Sequence, residues 1–218
     1  MLEKLNQMKL DWQQKFPNRD FPESLEAFIK TEPAWSKLVG GRLLNSQSDH
    51  PLLSHDYINE RDRKNSDIMA NVEAMIETTE HFFFVSEFKR GVLGYWQCPL
   101  RGWLSLWHLD TEGQYQIAAG KNFPETYLNE ALLNNNDVTS EYLLEAFGEV
   151  GLSLERSEEK DIYANMDKAK RRAAVNPTAF RHVVYLQRKK NQKPPEEPKA
   201  PEKSKDTPKK RALFWRKG

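Results

Sequence analysis

Apolar positions recur at spacings of three and four through the first thirty residues. Leu2, Leu5, Met8, Trp12 and Phe16 fall on one side of a 3.6-residue repeat, which predicts an amphipathic helix. The stretch "FPESLEAFI" restarts the period with Leu25, Phe28 and Ile29, and Pro22 suits a first helical turn. Gly40 and Gly41 in "VGGRLL" break the pattern, and residues 45–64 are polar, which predicts a loop or an insertion. Ser66 is the expected cap of a third helix carrying Ile68, Met69, Val72, Met75 and Ile76.

The period then shortens to two. "HFFFVSE", "GVLGYWQ", "WLSLWHL" and "QYQIA" are short, aromatic and branched, and separated by turn signals. "DTEG" places Asp110 first and Gly113 fourth, as a type I turn favours. These runs predict a meander of about four antiparallel strands. Helical spacing returns with Phe123, Tyr127, Leu128, Ala131 and Leu132, again with a proline, Pro124, near the start. After "NNND" comes a helix with Leu143, Leu144 and Phe147, closed by Gly151. A charge-rich helix is expected at about 157–174, ended by Pro177, and "FRHVVYLQ" reads as a last strand. The expected fold class is α+β: an antiparallel meander sheet flanked by amphipathic helices, over residues 1–187.

The run "WLSLWHL" has two apolar faces. As a strand it sends Trp103, Ser105, Trp107 and Leu109 to one side and Leu104, Leu106 and His108 to the other. Two arrangements meet that pattern. The strand is covered on both sides, or it is covered on one and binds on the other. Large aromatics are mostly buried, yet tryptophan and tyrosine are also enriched at binding hot spots. Tyr95, Trp96, Trp103 and Trp107 are therefore both core candidates and candidate partner contacts.

Charge changes the picture at the C-terminal end. The 218 residues carry a net +1, but residues 188–218 hold twelve Lys or Arg against four Asp or Glu, a net +8, which leaves the rest at −7. Residues 188–208 are rich in Pro, Lys and Glu with nothing apolar larger than alanine or proline, which predicts a disordered linker. Residues 209–218 differ. Leu213, Phe214 and Trp215 form an apolar group bracketed by Arg211, Arg216 and Lys217, the composition of a short motif that meets an anionic membrane surface, nucleic acid or a second protein.

Chemistry is sparse. "GG" at 40–41 lacks the lysine and hydroxyl of a phosphate loop. His50 and His55 share a polar stretch with Asp49 and Asp56, but their spacing fits no common zinc pattern. Cys98, the single cysteine, excludes an intramolecular disulfide, fits a reducing compartment and is expected to be a buried thiol. No pair of groups has the spacing of a general acid and base, so no enzyme activity, metal or cofactor is expected. No secretory signal or membrane-length apolar run is visible, so the expected location is the cytoplasm.

The order of elements resembles the SUKH superfamily, the Smi–Knr-like group. "FPESLEAFI" precedes "FFFVSEFKRGVLGYWQ", then "WLSLWHLDTEGQYQIA", then "KNFPETYLNEALL", so the likeness spans about residues 21–133. Of the asparagine–glycine–glycine signature common after the early helix, only "VGGR" stands here. The resemblance implies an α+β domain that binds other proteins, as bacterial immunity proteins bind and neutralise toxins, many of them basic. A second reading is a cytoplasmic adaptor that works through its basic-aromatic tail, and a third is an enzyme with a site assembled from scattered residues such as His50, His55 and Asp56.

Overall fold

The protein is described from a computed structural model over residues 2–32, 41–44, 58–88, 91–118, 120–134, 140–149, 151–154, 160–164 and 176–191. The elements are α1 (Leu2–Lys15), α2 (Glu23–Lys30), β1 (Arg42–Leu43), α3 (Glu60–Arg63), α4 (Ser66–Thr79), β2 (Phe82–Phe88), β3 (Gly91–Gln97), β4 (Leu104–Asp110), β5 (Tyr115–Ile117), α5 (Phe123–Asn134), α6 (Ser140–Glu149) and α7 (Pro177–Asn191). The strands form one antiparallel sheet in the order β1-β2-β3-β4-β5. The fold class is α+β, as the periodicity predicts.

Both faces of the sheet are covered. On one, Phe83, Val85, Leu93 and Tyr95 meet Leu5, Met8 and Trp12 of α1, Leu25, Phe28 and Ile29 of α2, and Phe123 and Tyr127 of α5. On the other, Phe82, Phe84, Val92, Trp96, Trp107 and Leu109 pack with Met75 of α4 and Phe180 of α7. The register of β2 against β3 shifts between Phe84 and Ser86, an extra residue that reverses the alternation, so that Phe82 and Phe84 lie on the second face and Phe88 on the first. Gly94 sits opposite Phe84, and a Cβ there would lie 2.5 Å from the carbonyl oxygen of Phe83. That close approach explains a glycine inside a central strand.

Turn chemistry follows the residues. The Asp110 side chain accepts from the amides of Glu112 (3.0 Å) and Gln114 (2.7 Å), and Gly113 closes the turn with φ +75°.

Several expectations need correction. The last element is a helix, not a strand. Asn176 caps it by accepting from the Ala179 amide at 2.8 Å, and Pro177 opens it rather than ending the segment before. Phe180 and Val184 then turn inward four residues apart, a helical spacing that the Val-Val-Tyr run obscures. This helix continues through Arg188 to Asn191, so four residues assigned by composition to the linker belong to it. The cap of α4 is Asn65, whose Oδ1 accepts from Asp67 (3.0 Å) and Ile68 (3.2 Å), with Ser66 as the first helical residue. A fifth strand, Arg42–Leu43, follows Gly41 and pairs with Glu87 and Ser86. The segment read as a loop to residue 64 ends in the short helix α3, capped by Asn59. Of the charge-rich helix only 160–164 is described, and it is helical. The linker beyond Asn191, the terminal motif and the His50–His55 stretch lie outside the described residues.

Helix α7 packs Phe180 and Val184 inward and is also fastened by polar contacts to α4. Arg188 pairs with Glu73 at 2.7 Å and Glu77 at 2.6 Å, Lys189 pairs with Asp67 at 3.2 Å, and Arg181 donates to Asn71 (3.0 Å) and to the carbonyl of Gly113. Beside this junction the ring of His81 meets Phe180 edge-on at 5.2 Å. Burial lowers the His81 pKa from its ordinary 6.5; Lys15 adds to the effect, and Glu80 and Glu77 oppose it. A lowered folded-state value means that the unfolded chain holds the proton more tightly. The group therefore leaves stability intact above the unfolded-state pKa and erodes it as pH falls through that value toward the folded one. The urea midpoint of the wild type should drop more steeply between about pH 7.5 and 5.5 than that of His81→Gln. Parallel curves for the two proteins would show that His81 does not set this dependence.

Candidate interaction surface

The four aromatics singled out from the sequence separate into two groups. Tyr95 (7% exposed), Trp96 (1%) and Trp107 (4%) are core residues, which corrects the candidacy of Trp96 and Trp107 as partner contacts; Tyr95 alone of the three also lines a pocket. Tyr95 meets Trp12 edge-on at 5.2 Å and stacks near Phe123 at 5.9 Å. Trp96 and Trp107 pack edge to face at 6.4 Å, and the Trp107 indole donates to Ser105 at 2.8 Å. The reason is positional. These residues lie within strands whose two faces are both roofed by helices.

Trp103 is the exception, with 57% of its surface exposed. It lies one residue before β4, just past the β3–β4 turn, where the helical cover has ended. The turn is built by Cys98, whose carbonyl accepts from Gly102 (2.7 Å) and Arg101 (3.3 Å) and whose amide donates to Trp103 (2.8 Å). Gly102 takes φ +68°, a left-handed conformation that favours glycine. The Cys98 thiol is buried beneath. Leu100 at the tip is 76% exposed. The Arg101 guanidinium stands over the Trp103 ring, 5.1 Å from its centre, and Arg19 donates to the Gly102 carbonyl at 2.7 Å. Leu100 and Trp103 thus form an apolar corner with two arginines beside it, on a chain whose body is acidic.

Next to this corner β4 is open. Strand β5 pairs only with Trp107, His108 and Leu109, and one further bond runs from Ala118 to the Leu106 carbonyl at 3.2 Å. Among the described residues no strand pairs with Leu104 or Ser105 on that side. A half-open pocket of about 440 Å³ lies alongside, between these residues, the start of α2 and the loop Gly120–Asn122.

Sequence reasoning missed one buried polar pair. His108 of β4 and Glu130 of α5 approach to 3.3 Å, and both are buried on the face shared with Tyr95. Neither lines the pocket beside β4. The inward phase of His108, in step with Leu104 and Leu106, was the available signal, but its partner is brought there only by the packing of α5. Among the described residues no group of three His, Cys, Asp or Glu could hold a metal ion, and no helix is long and apolar enough to cross a membrane. The comparisons with family models, curated proteins and solved structures find no match to this chain.

The two tryptophans of "WLSLWHL" should behave oppositely. Trp107→Ala removes a buried indole and should cost about 3–5 kcal/mol of folding stability. Trp103→Ala should change it by no more than about 0.5 kcal/mol. Urea unfolding of the two variants checks both values.

Proposed function

We propose that the chain works by binding another protein, and that Trp103 and Leu100, beside the open edge of β4, are its anchor. The supporting observation is the exposed tryptophan. A side chain of that size is normally buried, and here it stands next to strand backbone that, among the described residues, has no partner on its outer side. The resemblance to the Smi–Knr-like group supports a neutralising, immunity-type role toward a toxin. The acidic body supports steering of a basic partner, since long-range charge acts mainly on encounter.

The test is capture of partners from the source cell with the full chain, followed by titration of each identified partner against wild type and Trp103→Ala. The variant should fold normally and bind at least about 2 kcal/mol more weakly, roughly 30-fold. A partner bound equally by both proteins would falsify the assignment of this corner.

The charge split favours one second reading, an adaptor whose basic-aromatic tail contacts anionic membrane, nucleic acid or a second protein. On that reading, deleting residues 209–218 should leave the urea midpoint nearly unchanged. It should also abolish a salt-sensitive interaction with one of those three ligands, measured by co-sedimentation or fluorescence anisotropy. Equal binding by the full and truncated chains removes this reading.

A further inference from the structure

The pocket beside β4 brings together three kinds of hydrogen-bonding group. The first is a helix start. The first intrahelical bond of α2 runs from Glu26 to the Pro22 carbonyl at 3.0 Å, and no side chain caps this end. The amides of Glu23, Ser24 and Leu25 therefore precede the helical ladder, at the positive end of the helix dipole. The second is the Tyr95 hydroxyl. Tyr95 is more than nine-tenths buried, lines the pocket, and makes no hydrogen bond through its hydroxyl among the described residues. Burial also raises its pKa, so the hydroxyl stays protonated and able to donate.

The third is strand backbone. The bond from Cys98 to the Trp103 carbonyl turns Trp103 toward β3, so by alternation Leu104 and Leu106 direct their N–H and C=O groups outward. Leu106 meets Ala118, and on this side Leu104 has no strand opposite among the described residues.

The apolar part of the wall comes from Leu104, Leu106 and Ile117. Two of these point to the same sheet face as Tyr95, so a strand added at Leu104 would send every second side chain into this pocket. The helix start and the phenol both offer protons. Arg19 and Arg101 stand at the neighbouring corner, and Lys121 lines the pocket.

Resting on the reading of this corner as a protein-binding surface, we infer that its occupant is an extended acidic segment of the partner. That segment pairs with β4 at Leu104 and places one Asp or Glu carboxylate in the pocket, against the α2 amides and the Tyr95 hydroxyl. Strand addition explains the open backbone, and the carboxylate explains why donors line a pocket in an otherwise acidic protein.

The probe is the isotope-labelled full chain titrated with acetyl-Thr-Val-Glu-Val-Thr-amide, its Gln counterpart and N-acetylglutamate. Amide shifts at Ser24, Leu25, Leu104 and Leu106 should saturate with the Glu peptide, and the Gln peptide should bind at least about tenfold more weakly. Tyr95→Phe keeps the ring and the packing. It should weaken the Glu peptide about two- to tenfold and the Gln peptide, whose amide oxygen is a weaker acceptor, by less. Equal binding of the two peptides, or shifts confined to other surfaces, overturns the inference. Binding of N-acetylglutamate as tight as that of the Glu peptide overturns it too, because the strand would then add nothing. Partner capture that depends on Trp103 while the peptide gives no shifts at these amides removes the pocket and leaves the protein-binding reading standing. Loss of Trp103 dependence with peptide binding intact does the reverse.

Discussion

Trp12 meets Phe16, Phe21, Phe83 and Tyr95 edge-on, with ring centres 4.9–5.6 Å apart, and the rest of the architecture depends on that contact. The indole joins α1 to the middle of the sheet. Its N–H donates to the Arg19 carbonyl at 3.0 Å, which satisfies the one polar atom that its burial would strand and fixes the path of the chain into α2. From there α2 reaches Phe123 and Tyr127 of α5 through Phe28, at 5.3 and 4.8 Å. Over the middle strands one face of the sheet is therefore covered by a continuous set of rings, and the opposite face is left for α4 and α7.

That arrangement explains what could be seen in the sequence. The stripe of α1, the period-two strands and the Asp110–Gly113 turn were legible because each is a local pattern that tertiary packing reinforces. Pro177–Asn191 was not. Valine and tyrosine lean toward strands, and the features that make the segment a helix are a cap at Asn176 and ion pairs to Glu73 and Glu77, more than a hundred residues away. The fold class was legible, whereas the placement of this end of the domain was not.

The candidate site was legible only in part. Sequence alone cannot say which tryptophan of a strand with two apolar faces is covered, because cover is a property of the helices above it. Trp107 and Trp103 differ by four positions. One is held inside by Trp96 and Ser105, and the other has passed the end of the roof. The pocket beside β4 was illegible for a similar reason. It is assembled from an uncapped helix start, a strand end and a loop before α5, and the first of these lies about eighty residues or more from the other two along the chain.

The attachment of α7 has a consequence of another kind. Its buried side chains are few, Pro177 and Val184, with Phe180 partly covered, and much of its hold comes from partly exposed ion pairs. Such pairs weaken as dissolved ions screen them, over about 10 Å at 0.1 M. The grip of this helix is therefore set partly by the surrounding electrolyte, whereas the aromatic interior is indifferent to it. The ion pairs of Arg188 and Lys189, at the C-terminal end of α7, are thus the part of this attachment that the medium itself loosens.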